Sequence, residues 1–319
     1  SVATDANGIP NDWQDNGIFS KYYIQAYDKL KTLSLDEKIA QLFLIRFDES
    51  KANDILKKYN LGGFVFFEKD FKGKTEAQVK QMMNQLQKNA KIPLLTAVDE
   101  EGGKVVRISS NSNLASEKFK SPSELYNAGG FDLIKQDTIN KSNLLHKLGL
   151  NVNLAPVVDV ATDPNAYMYG RTLQQNTALT STYAKTVIDA SKGRGVSYTL
   201  KHFPGYGNNT DTHISSSTDT RTYDEILAND LPPFESGIKA GAEAVLIGHN
   251  TVTSIDNTNP ASLSPSVHNL LRNNMNFTGI IITDSMDMSA VTSINDSIVK
   301  AIQAGNDLII TTDYKSAIN

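Results

Sequence analysis

Three stretches of the chain gather residue types that do chemistry. In Thr283-Asp284-Ser285-Met286-Asp287-Met288, Asp284 directly follows the apolar run Ile280–Ile282. A carboxylate placed there stands in partly apolar surroundings, which suits a nucleophile or a base. Asp287 is expected to cap the backbone or face solvent. Ser285 lacks the Gly-x-Ser-x-Gly frame of a serine nucleophile. The second stretch runs from Lys201 and His202 through Pro204 and Gly205 to Asp211 and His213. In an extended loop, residues two apart point the same way, so Asp211 can orient the His213 imidazole and raise its basicity. The alternative is a turn in which Asp211 caps the backbone and His213 is merely exposed; spacing alone does not choose. The third stretch is Asp99-Glu100-Glu101-Gly102-Gly103, with Lys104 and Arg107 close behind. Its glycines suit a tight turn close to a ligand. Three carboxylates are also the material of a hard-metal site, but neighbours in sequence alternate in direction and seldom chelate one ion together.

Other chemistries are excluded by what is missing. The chain has no cysteine, which removes disulfides, thiolate metal sites and a thiol nucleophile. It has no Gly-x-Gly-x-x-Gly loop, no P-loop and no His-Glu-x-x-His helix. The net charge of −4 from 31 basic and 35 acidic residues argues against a general nucleic-acid binder. No apolar run approaches the roughly 18 residues of a membrane span. His146 and His268 fall within helical patterns and read as structural.

Positioning such residues requires a scaffold, and its pattern is an alternation. Eight runs rich in apolar and β-branched residues, 40–46, 63–67, 94–99, 151–159, 197–202, 244–249, 279–284 and 307–312, are each followed by polar or amphipathic sequence. Ser34 to Glu37, Thr75 to Gln78, Ser121 to Glu124 and Thr222 to Glu225 match the capping box that opens a helix. Pro122 and Pro265 occupy first helical positions, and Val79, Met82, Met83 and Leu86 form an apolar stripe. Apolar strands alternating with helices predict an α/β protein with a parallel sheet. Eight units predict a (β/α)8 TIM barrel over residues 20–319, with an open doubly wound sheet as the alternative. Only Asp313–Asn319 follows the eighth strand, so the last helix is expected to be incomplete. Residues 1–19 read as an N-terminal arm or linker. The opening Ser-Val-Ala-Thr is expected of a processed product.

In such barrels the working groups project from the carboxyl ends of the strands. Six of the eight runs end in a charged, imidazole or amide side chain: Arg46, Asp99, Asp159, His202, His249 with Asn250, and Asp284.

Together these segments resemble glycoside hydrolase family 3, in its bacterial β-N-acetylglucosaminidase branch. The likeness is carried by Val98 to Arg107, by Asn153-Leu154-Ala155-Pro156-Val157-Val158-Asp159-Val160 and by Gly170-Arg171. It continues through Lys201-His202-Phe203-Pro204-Gly205 with Asp211-Thr212-His213, and through Gly279 to Met286. The resemblance implies that Asp284 is the nucleophile, His213 the acid/base and Asp211 its partner. It implies that Asp99, Arg107, Arg171, Lys201 and His202 hold the hydroxyls of the terminal sugar. Tyr206 and Thr212 depart from the family pattern, which has His and Ser there.

The implied activity is that of a retaining exo-β-N-acetylglucosaminidase acting on cell-wall muropeptides or chitooligosaccharides. The implied partner is a small carbohydrate with a terminal GlcNAc, with no cofactor, metal or nucleic acid. Two alternatives stay open: a phosphorylase on the same fold, and an inactive sugar-binding barrel. A secreted or cell-surface bacterial location is expected, with the cytoplasm as alternative.

Overall fold

The structure is a computed structural model that describes residues 2–209 and 217–319. Its parallel barrel strands are β1 (Phe43–Arg46), β2 (Gly63–Phe66), β3 (Leu95–Val98), β4 (Val152–Asn153), β5 (Ser197–Phe203), β6 (Ala244–Ile247), β7 (Ile280–Thr283) and β8 (Ile309–Thr311). Seven of the eight expected runs contain one of them whole, and β5 extends one residue past the run 197–202. In space β8 lies beside β1, and β1 to β7 follow in chain order. The seam between β7 and β8 is joined at Ile282 and Leu308, where Leu308 N–H donates to Ile281 and Thr283 N–H donates to Leu308. This is the TIM barrel, not the open sheet. A short parallel pair, Thr218–Asp219 with Thr251–Val252, lies outside it.

All four expected capping boxes form. Ser34, Thr75, Ser121 and Thr222 each accept from the backbone three residues on, and the Glu or Gln there accepts from the cap's own N–H. These bonds satisfy amides that a helix start leaves open. The helix Glu76–Asn89 buries Val79, Met83 and Leu86. The helix Tyr314–Ile318 closes the chain after β8.

Alternation along the strands divides the core in two. Phe43, Ile45, Phe64, Phe66, Val98, Val245, Ile247, Ile281 and Ile309 belong to the large cluster under the helices. Their neighbours Leu44, Val65, Ala97, Val152, Leu154, Ala244, Leu246, Ile282, Leu308 and Ile310 form a second cluster that fills the barrel. Side chains two apart on a strand share a face. Arg46, Phe67, Asp99 and Asp284 are therefore the next inward positions above Leu44, Val65, Ala97 and Ile282. On β5 the same parity holds for buried Thr199 and Lys201, while Tyr198 and Leu200 face the helices. An apolar plug fills the barrel and a polar layer lies on top of it.

Candidate active site

The adjacent carboxylates directly after β3 divide by direction. Asp99 Oδ1 and Glu101 Oε1 both lie 2.8 Å from Lys201 Nζ. Arg171 adds two bonds to Glu101, through Nε at 2.9 Å and through Nη2. Burial pushes the Glu101 carboxyl up, but Lys201 and Arg171 outweigh it and hold the group at about 2. Glu100 points elsewhere. It accepts from the backbone N–H groups of Arg107, Ile108 and Ser109 and from the Ser109 hydroxyl, and so shapes the loop that presents Arg107. Asn153 on β4 bonds both the N–H and the carbonyl of Glu100, at 3.0 and 3.2 Å. Gly102 and Gly103 turn the chain at φ values of 99° and 63°, in the left-handed region that favours glycine.

Strand β5 supplies Lys201 and His202 from a stretch whose pairing with β6 shifts register between Leu200 and Phe203. His202 Nδ1 lies 2.9 Å from Asp159, which also accepts from Tyr206 N–H at 2.8 Å. Tyr206 packs edge-on to the His202 ring at 5.5 Å. Burial and the charge of Asp284 keep its phenol protonated.

Asp284 stands half-buried at the end of β7, with Oδ1 accepting from Ser285 N–H at 2.8 Å. Burial pushes its carboxyl up, but His249, His202, the Ser285 amide and Lys201 overcome this and hold it below the ordinary range. It is ionised at neutral pH, as a nucleophile requires. His249 is fixed beside it by Ser262 Oγ at 2.6 Å and the Ser285 carbonyl at 2.7 Å. Asp287 instead ties down the β8 end, accepting from Thr312 N–H and its hydroxyl.

The structure thus joins Asp99, Arg171 and Lys201 in one ionic network and places His202 and Asp284 in its field. Arg107 stacks on Phe67, 5.2 Å from the ring centroid. Asp211 and His213 lie outside the described residues. Glu101, Asp159 and His249 join the site beyond the residues assigned from sequence; the last two were visible as strand ends and Glu101 as part of the acidic run. His268 is structural, buried with Nδ1 on the Ser264 carbonyl at 2.7 Å. Among the described residues no three His, Asp or Glu side chains gather to hold a metal, and no helix is long and apolar enough to cross a membrane.

Residues 34–318 match the glycosyl hydrolase family 3 N-terminal domain. The chain belongs to glycosyl hydrolase family 3. Beta-hexosaminidase LpqI of Mycobacterium tuberculosis is 27% identical over 294 residues, covering 89% of this chain and 74% of that protein. Beta-hexosaminidase A of Pseudoalteromonas piscicida is 28% identical over 81% of this chain and 47% of its own length. Among solved structures, a family 3 β-N-acetylglucosaminidase from Paenibacillus superposes with a TM-score of 0.82 at 28% identity, covering 88% of this chain and 55% of that one. The chain spans about half the length of the last two. The family 3 barrel and the charged mouth described above coincide with the matched region.

Proposed function

We propose that this family 3 barrel is a retaining exo-β-N-acetylglucosaminidase. It removes terminal β-linked GlcNAc from muropeptides or chitooligosaccharides. The observation that carries the reading is the ionised Asp284 at the mouth, beside a charge-matched network of Asp99, Lys201, Glu101 and Arg171. The hexosaminidase names of the relatives support the substrate class.

In the first step an Asp284 oxygen attacks the anomeric carbon. The glycosidic C–O bond breaks, its electron pair goes to the departing oxygen, and that oxygen takes a proton from His213. Water then attacks the same carbon, gives its proton to His213 and frees the Asp284 carboxylate. Asp211 stabilises the imidazolium between the steps. Asp99, Arg107, Arg171, Lys201 and His202 hold the sugar.

The test is the ratio of kcat/KM for p-nitrophenyl N-acetyl-β-glucosaminide over the β-glucoside, in water and in phosphate buffer. A site with polar groups for an acetamide leaves them unpaired over a plain hydroxyl, so the ratio should exceed about 10². A ratio near one defeats the specificity claim, and a glycosyl phosphate product identifies a phosphorylase instead. Asp284→Asn should lower kcat by roughly 10⁴-fold while the fold is kept. A folded variant that retains a few per cent of activity removes Asp284 from the nucleophile role.

A further inference from the structure

Arg46 ends β1 in the inward layer that carries Asp99 and Asp284. Its guanidinium lies over the Phe67 ring, 4.3 Å from the centroid, and Arg107 lies against the same ring. The other cations of the mouth are paired: Lys201 with Asp99 and Glu101, Arg171 with Glu101. Among the described residues, Arg46 and Arg107 have no carboxylate within ion-pair distance. Arg107 makes only a long bond to the Val106 carbonyl, at 3.4 Å, and its Nε is buried without a partner. The nearby carboxylates are engaged elsewhere, Glu100 with the 107–109 loop and Asp70 with the Phe67 N–H at 2.7 Å. Two like charges thus share one ring, and Asp70, whose carboxylate Arg46 influences through space, lies beyond ion-pair distance and is spent on the Phe67 N–H. Such an arrangement is favourable when a ligand brings the anion.

We propose that Arg46 pairs with an oxyanion, a carboxylate or a phosphate, carried by the terminal sugar whose hydroxyls Arg107 holds. This rests on the hexosaminidase reading of the mouth. Arg107, which shares the Phe67 ring with Arg46, is the residue that the proposed function puts on the hydroxyls of the terminal sugar. The Arg46 wall therefore meets the glycone. Phe67 holds the guanidinium plane against its face, which reduces the freedom lost on binding. A fixed planar fork fits a carboxylate or phosphate edge-on.

Calorimetry on the whole chain tests it with four probes: N-acetylglucosamine, its 6-phosphate, its 3-O-carboxyethyl ether and inorganic phosphate. One of the two anionic sugars should bind at least about tenfold more tightly than the neutral sugar, the scale of one charge-assisted hydrogen bond. The one that does identifies the source of the anion. Arg46→Gln should reduce that preference to about twofold, and Arg46→Lys should retain part of it. Arg46 is exposed and its side chain makes no hydrogen bond to another described residue, so both variants should fold, as a melting curve checks. Equal binding of neutral and anionic sugars overturns the proposal. So does a preference that survives Arg46→Gln, or binding of phosphate with no advantage for either anionic sugar. Turnover of the neutral p-nitrophenyl glycoside on the same preparation reports separately on the hexosaminidase reading.

Discussion

Two buried ionic clusters flank the start of the loop after β5, and they are built differently. At the mouth, Asp99 and Glu101 face Lys201 and Arg171, two carboxylates against two cations. At the foot of the loop, Arg221 alone serves both Asp219 and Asp230. Its Nε reaches both oxygens of Asp219 at 3.0 and 3.1 Å, and its Nη1 reaches Asp230 at 2.5 Å. The carboxyls respond in opposite directions. Glu101 is held at about 2, whereas burial pushes Asp230 up to about 6 against the pull of Arg221, with Asp159 and Asp219 adding to the rise. Burial is common to both, so the count of cations decides the sign. The matched cluster keeps fixed charges where the proposed function puts the sugar. The unmatched one forms a seat for the turn. A Cβ on Gly205 would come within 2.9 Å of the Asp230 side chain, and one on Gly207 within 2.5 Å of the Arg221 guanidinium.

The largest effect should come from breaking the matched cluster. Among the described residues, Lys201→Met removes the one ion-pair partner of Asp99 and one of the two of Glu101. Breaking a buried pair costs about 3–5 kcal/mol, which should appear at pH 7. The kcat/KM for the N-acetylglucosaminide should fall by about 10²-fold, the scale of a lost charged hydrogen bond to the sugar. Arg221→Met should cost less at pH 5 than at pH 7, because Asp230 can take up a proton in place of its lost cation. Chemical denaturation of both variants at the two pH values measures this. Equal losses for Arg221→Met at both values would break the comparison.

The sequence carried the scaffold well because its signals are local. Capping boxes act over three residues and strand parity over two, so the helix starts, the eight strands and the inward position of Asp284 could be read directly. The partnerships within the site are long-range. Asp211 and His213 are legible as a pair from their spacing but lie outside the described residues; among the described residues a carboxylate–imidazole contact joins Asp159 to His202. It arises because the stretch after β4 runs beside β5. The three carboxylates at 99–101 could be assigned opposite directions from alternation. That Glu100 would turn to the 107–109 backbone while Glu101 took two cations depended on the Gly102–Gly103 turn and on where Arg171 returns. Arg46 was legible as a strand end, but its shared ring with Arg107 depends on strand adjacency.

The two clusters also predict how stability follows pH. Glu101 falls from an ordinary 4.5 to about 2 on folding, so its contribution is present above 4.5 and is lost as pH falls towards 2. Asp230 rises from 3.8 to about 6, so its contribution is present below 3.8 and is lost as pH rises through 6. Each is on the order of 3 kcal/mol. Their sum peaks between about 4 and 5. Tm should therefore rise as pH is lowered from 7 to 5 and fall steeply below 4. A Tm that declines steadily from pH 7 downward would show that Asp230 is not held up.

The smallest effect isolates the unmatched cluster. Asp230→Asn removes one of two carboxylates that share Arg221, leaving one charge against one. At pH 7 the variant escapes the cost of ionising a buried group, on the order of 3 kcal/mol, and loses a charge-assisted bond to Arg221 of about 1.5–3 kcal/mol. These oppose each other, so the net change at pH 7 should lie within about 1 kcal/mol. At pH 5 the folded wild-type carboxyl is already largely protonated while the unfolded one is still ionised, so about half of the cost to be escaped is gone. The variant should therefore lose ground to wild type between pH 7 and pH 5, and its own Tm should be nearly flat over that interval. Differential scanning calorimetry of the two proteins at both pH values reads this directly. A loss of 3 kcal/mol or more at pH 7 would mean that Asp230 behaves as a matched ion-pair partner, and the contrast with Glu101 would fail.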